Sequence, residues 1–150
     1  MTESKALRAL REAIVLEHME CQNDFDFDTS LSTFPHPRYE IMASGQVLDG
    51  VDEVRAYWQR TRETFPDQRN KVIEVHHADD AVVVEFELSG THLGSLLGEQ
   101  PTNKSFKVRM VGFFIFEKDV LVCERVYGDT TTVMQQLGLL NAPDEYAGPY

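Results

Sequence analysis

Cysteine is scarce in this 150-residue chain. Cys21 and Cys123 are the only two; they form no metal-spaced pair and need no disulfide in a reducing compartment. Both read as small buried hydrophobes. Long apolar runs are missing too, since none approaches the ~18 residues that a membrane-crossing helix requires. The opening Met1-Thr2-Glu3-Ser4-Lys5 leads into a charged amphipathic stretch and lacks the apolar segment of a signal peptide, so a cytoplasmic location is expected. Positive charge is in deficit, with 14 Lys and Arg against 25 Asp and Glu and a net charge of −11. That balance repels nucleic acid and anionic membranes, and neither is expected as a partner.

The familiar chemical signatures are absent as well. The chain has no Gly-x-Gly-x-x-Gly, phosphate loop, Cys-x-x-Cys, His-Glu-x-x-His or Gly-x-Ser-x-Gly. His76 and His77 are adjacent, so on a strand they point to opposite faces and cannot grip one metal. Asp24-Phe25-Asp26-Phe27-Asp28 lacks the glycine and distal glutamate of a calcium loop and reads as a solvated turn. No metal and no cofactor are implied. Acid/base chemistry without a cofactor, or plain binding of a small molecule, is what remains.

What is present suits one folded domain spanning 1–150. Hydrophobic residues at 42% and charged residues at 26% are the balance of an ordinary globular protein, and a chain of this length buries roughly 70% of its unfolded surface. Residues 3 to about 21 read as a helix with Leu7, Leu10, Ile14, His18 and Cys21 on one stripe. The stretch 22–37 reads as irregular. A short strand from Arg38 to Met42 turns at Ser44-Gly45 and returns through Val47-Leu48. A second helix follows Asp49-Gly50, carries Val51, Val54, Trp58, Thr61 and Phe65 on one face, and ends at Pro66.

Beyond residue 67 the period falls to two. Residues 70–78 and 81–92 form an expected hairpin, with Val82, Val84, Phe86, Leu88, Gly90 and His92 sharing one face. Strands at Ser105–Phe116 and Val120–Gly128 follow. Asp129 opens a short helix that stops at Gly138, and a polar tail from about 141 reads as loosely held. This order predicts an α+β domain with helices over one face of a curved antiparallel sheet.

Asp129 stands out because it ends the last strand. Alternation puts it on the face of Tyr127, Arg125 and Cys123. There it could meet an apolar cavity, where desolvation would raise its pKa and suit it to proton transfer. Equally, Asp before Thr130-Thr131-Thr132 is a good helix cap, and the residues leave both readings open. His92 could stand at a pocket mouth and donate to a substrate oxygen, or be a histidine with a backbone partner. Arg109 should face water or pair with Glu85, Glu87 or Asp129. Trp58 and Tyr57 on the second helix, and His36 and Tyr39 flanking the first strand, are candidates to shape a cavity or simply to pack.

Several stretches together resemble the SnoaL-like polyketide cyclase branch of the nuclear-transport-factor-2-like superfamily. They are Phe65-Pro66-Asp67, Gly90-Thr91-His92-Leu93-Gly94, Pro101-Thr102, Glu124 through Asp129, and Gln135-Gln136-Leu137-Gly138. Their order and spacing cover about residues 36–140. Arg125 stands where many relatives carry Trp, and Asn103 where a glycine is common. The resemblance implies a cone-shaped α+β fold around a deep pocket, commonly in homodimers, and a cofactor-independent reaction. It implies intramolecular aldol ring closure of an apolar, multi-oxygenated ketone or ester. Asp129 would move the proton, and His92 with Tyr127 or Arg109 would hold the enolate oxygen. Isomerisation, epoxide opening and binding without chemistry are the alternatives in so broad a superfamily.

Overall fold

Ser4 accepts a hydrogen bond from the backbone N–H of Leu7 at 3.1 Å and starts helix α1, Lys5–Asn23. The computed structural model describes residues 4–140, so the tail from 141 lies outside the described residues. The buried stripe of α1 is Arg11, Val15, His18 and Met19, rotated from the expected one; Leu10 is exposed. Arg11 accounts for the rotation. Its guanidinium donates to the carbonyls of Lys118 (2.7 Å) and Asp79 (2.9 Å) and lies over the Phe116 ring, so a cation takes an inward position. Of the cysteines, Cys123 is buried and Cys21 only half-buried.

The stretch expected to be irregular contains a short helix, α2, Phe27–Ser32. Asp26, read as part of a solvated turn, is its cap and accepts from the N–H and hydroxyl of Thr29. Strands β1 (Arg38–Ile41) and β2 (Gln46–Asp49) follow, then helix α3, Val51–Thr64. The carboxylate of Glu53 accepts from Asp49 N at 2.8 Å and ties down the start of α3. Val54 and Trp58 are buried along α3 as expected, and Arg62 joins them, while Val51 is exposed.

The remaining elements are β3 (Arg69–His77), β4 (Ala81–Thr91), β5 (Ser105–Glu117), β6 (Val120–Tyr127) and α4 (Thr130–Gln136). Gly138, at φ +75°, takes the left-handed turn after α4. The fold is α+β: one curved six-stranded sheet, ordered β2-β1-β6-β5-β4-β3, with helices against it. Every pairing is antiparallel except β1 with β6, which run parallel. The core lies between sheet and helices, around Val15, Met19, Phe34, Val82, Val84 and Phe114.

One irregularity positions the functional residues. On β5 the partners of Ile115 and Phe116 are Cys123 and Leu121, so Val122 is an extra residue in β6. Such a bulge moves the alternation by one. Leu121 faces the core before it, and Glu124 and Val126 are the buried pair after it.

Candidate active site

A cavity of about 730 Å³ opens between the sheet, α1, α3 and α4, a size typical of small-molecule sites. Its wall is largely apolar, with Met19, Trp58, Phe86, Leu88, Val108 and Met110 among the residues that form it. Among the described residues that line it, two are carboxylates, Glu124 and Asp129. They sit in opposite surroundings.

Asp129 is exposed at the rim and caps α4. One carboxylate oxygen accepts from Thr132 N at 2.9 Å and the other from the Thr132 hydroxyl at 2.5 Å. The Thr132 hydroxyl and amide hold its carboxyl below the usual range, so at neutral pH it is ionised. This is the opposite direction from the raised value expected of a desolvated carboxyl.

Glu124 is buried, and its Oε2 lies 2.8 Å from His18 Nε2. His18 is fully buried. Its Nδ1 is 3.1 Å from the Ser30 carbonyl and 2.9 Å from Thr33 Oγ1. A carbonyl only accepts, and the Thr33 hydroxyl already donates to that same carbonyl at 2.6 Å; Nδ1 must therefore carry a proton. One further proton lies between Nε2 and Oε2, giving either imidazolium with carboxylate or imidazole with carboxylic acid. The pair is neutral overall in either form. Gln22 approaches Nε2 at 3.0 Å, and no hydrogen bond to Glu124 Oε1 comes from a described residue.

Arg62 also lines the cavity and is only 9% exposed. Its Nη1 donates to Thr61 Oγ1 at 2.9 Å, while its Nε is buried without a partner. The rings of Phe25 and Phe27 lie 5.8 and 5.3 Å from the guanidinium carbon. Burial pushes its pKa down to about 10, so the side chain stays a cation at neutral pH. Tyr39 and Tyr57 stand nearby with rings 5.6 Å apart, and burial raises the phenol pKa of each.

Of the residues singled out in the sequence, Asp129, Tyr39, Tyr57 and Trp58 border the cavity; His92, Arg109, Tyr127 and His36 do not. His92 has the inward parity expected of it but is sealed off: the Phe65 ring lies against it at 6.0 Å, and its backbone bonds to Lys104 and Asn103. Its Nδ1 accepts from Thr102 N at 3.2 Å. Asn103 holds φ +59°, a conformation glycine takes freely and asparagine tolerates. Arg109 points outward to Glu85 at 3.0 Å. His36 is exposed beside Asp49 at 2.7 Å.

Tyr127 faces the outer surface and packs on Phe113, and Arg125 on the same side donates to Glu40 at 2.6 Å. Cys123, Arg125 and Tyr127 thus share a face as expected, but the Val122 bulge makes it the outer one, and Asp129 does not share it. Asp129 reaches the cavity only because the strand ends at Tyr127 and the chain turns through Gly128.

Sequence reasoning missed Glu124, His18 and Arg62 as site residues. His18 stood on an apolar helical stripe, and Arg62 lies four residues after Trp58 on the same turn spacing. Glu124 interrupts the run Val120-Leu121-Val122-Cys123. Each is a charged or polar group at an inward position, and only their convergence marks a site.

A family model described as SnoaL-like polyketide cyclase matches residues 12–137. The chain belongs to the SnoaL-like polyketide cyclase family. Solved structures agree on the fold of this family member. A proposed SnoaL-like polyketide cyclase from Jannaschia sp. CCS1 is 23% identical, with a TM-score of 0.81 over 95% of this chain and 100% of that one. AclR of Streptomyces galilaeus, a proposed hydroxylase, is 20% identical, with a TM-score of 0.77 over 91% and 86%. IdmH of Streptomyces antibioticus, a proposed polyketide cyclase, is 22% identical, with a TM-score of 0.74 over 85% and 98%. No curated protein matches the sequence significantly. No helix among the described residues is long and apolar enough to cross a membrane.

Proposed function

We propose that this SnoaL-like protein is a cofactor-independent acid/base enzyme that closes a ring in an apolar, multi-oxygenated ketone or ester by an aldol-type reaction. The observation that carries the reading is an apolar cavity holding two carboxyl groups in opposite environments, the arrangement that divides acid from base. Asp129, ionised at rest, takes a proton from the carbon beside a carbonyl. The Glu124–His18 pair, which already holds a proton at a 2.8 Å contact, delivers one to the oxygen that becomes the hydroxyl. Trp58, Tyr57 and Tyr39 shape the space around the substrate. Removing one member of such a pair costs about 10²–10⁴ in rate.

The test is incubation with a panel of aromatic β-keto methyl esters in D2O, following deuterium uptake at the α-carbon and the cyclised product by mass spectrometry. Asp129→Asn should lower both rates by ~10²–10⁴. Unchanged turnover in that variant would overturn the mechanism. A double-bond isomerase would show α-exchange and a shifted double bond without ring closure. Epoxide opening is less well supported, since His92 and Arg109, which it would need to hold water, lie away from the cavity.

A second reading has a specific observation in its favour. Both Asp129 oxygens are occupied by Thr132, as in a helix cap with no chemical duty, and the cavity would then simply bind a ligand. Tight binding without α-exchange is its signature. The same proposal makes the protein a cytoplasmic homodimer in contact through the outer sheet face around Phe113 and Tyr127; light scattering on the purified protein checks the stoichiometry.

A further inference from the structure

Buried cations in proteins are paired, because an unpaired one forfeits its hydration with nothing in return. Arg62 departs from this. It is nine-tenths buried, yet among the described residues no carboxylate lies within ion-pair distance of it, its Nε finds no partner and Thr61 supplies its one hydrogen bond. The buried carboxyl group of the same cavity, Glu124, is already taken up by His18 at 2.8 Å. The two phenols beside it, Tyr39 and Tyr57, stay neutral, since burial raises their pKa values. Phe25 and Phe27 lie against the guanidinium and offer it ring faces but no counter-charge. A protein of net charge −11 thus keeps an uncompensated positive charge on the wall of this cavity.

We infer that Arg62 is a seat for an anionic oxygen, and that the cavity takes an apolar ligand bearing a carboxylate or a comparable oxyanion. The fork of N–H donors left free on the guanidinium matches a carboxylate, and the low polarity around it strengthens the contact. A ligand whose frame carries a free carboxylate is therefore preferred over its neutral counterpart, because the anion relieves the buried charge. The inference rests on reading the cavity as the ligand site, and its test separates the two.

The experiment is calorimetric titration of the purified protein with 1-naphthoate and with its neutral counterpart 1-naphthamide. Naphthoate should bind at least about tenfold more tightly, the value of a charge-assisted hydrogen bond. Arg62→Met should erase that preference, Arg62→Lys should keep part of it, and Arg109→Gln, which removes an exposed cation away from the cavity, should leave it intact. Arg62→Met should also unfold at a temperature no lower than wild type, since an uncompensated buried charge is removed; a purely structural arginine would give a fall. Equal binding of the two probes, or a preference that survives Arg62→Met, overturns the inference while leaving the cavity as a ligand site. Binding of neither probe overturns both. The wild-type comparison needs no variant, so it decides the matter even where Arg62→Met fails to fold.

Discussion

His18 shows how much one buried side chain can organise. Its ring meets Phe34, Trp58 and Phe114 edge-on at centroid distances of 5.1, 5.6 and 5.5 Å, and its two nitrogens tie α1 to the end of α2 and to β6. We predict that His18→Leu loses about 3 kcal/mol of stability in urea denaturation, because Glu124 is left buried without its partner. His18→Leu combined with Glu124→Leu should recover a large part of that loss. Strictly additive losses would mean the two do not act as a pair. Asp129 separates in the same manner. Asparagine caps a helix as well as aspartate does, whereas alanine costs about 1 kcal/mol. Asp129→Asn should therefore keep the melting temperature while Asp129→Ala lowers it, so any activity lost in the Asn variant is chemical. If Asp129 is the base, its lowered pKa places the acid limb of kcat/KM below pH ~4, and a limb near neutrality would point to another group.

At the scale of elements, two devices decide what faces the cavity. The Val122 bulge is the first: without it Arg125 and Tyr127 would turn inward and Glu124 outward. Deleting Val122 should keep a cooperative melt, since the strand then alternates regularly from Leu121 to an inward Glu124 and an outward Arg125; loss of cooperative unfolding in that variant would show that the bulge does more than set the parity. The second is Gly94, where a Cβ would come within 2.1 Å of the Glu63 carbonyl oxygen. The backbone N–H groups of Leu93 and Gly94 bond to Thr64 O at 3.0 and 3.1 Å, so the loop after β4 is drawn onto the end of α3 with no room for a side chain. Gly94→Ala should cost at least ~1–3 kcal/mol by displacing that contact. The caps carry the acid sensitivity of their helices. Asp26 and Asp129 have lowered pKa values because Thr29 and Thr132 bond the ionised form. A lowered folded pKa contributes stability above the unfolded value of ~3.9 and loses it as pH falls through the folded one. Asp26→Asn and Asp129→Asn should flatten the stability curve below pH ~4 and leave it unchanged at pH 7.

For the molecule as a whole, charge and cavity pull in opposite senses: an acidic exterior surrounds a pocket whose one uncompensated buried charge, among the described residues, is positive. Trp58, the single tryptophan, is 2% exposed on the cavity wall, so its emission should be that of a dry indole, red-shifting on unfolding and changing as the cavity fills. The sequence alone determined the order and nearly the bounds of the elements, because apolar periodicity, caps and turn residues are local properties. Short α2 escaped, since six residues around a single cap show too little periodicity to be seen. From the sequence alone Asp129, Tyr39, Tyr57 and Trp58 could be named as candidates, through strand ends, helix faces and family motifs. What only the tertiary structure decided is which groups meet. Glu124 and His18 are 106 residues apart in the chain, and neither the Val122 bulge that turns one inward nor the Arg11 anchor that rotates the helix of the other leaves a periodic trace. Whether an inward polar residue is sealed in, as His92 is, or opens on a cavity, as Arg62 does, depends on the surfaces packed against it, and those come from distant parts of the chain.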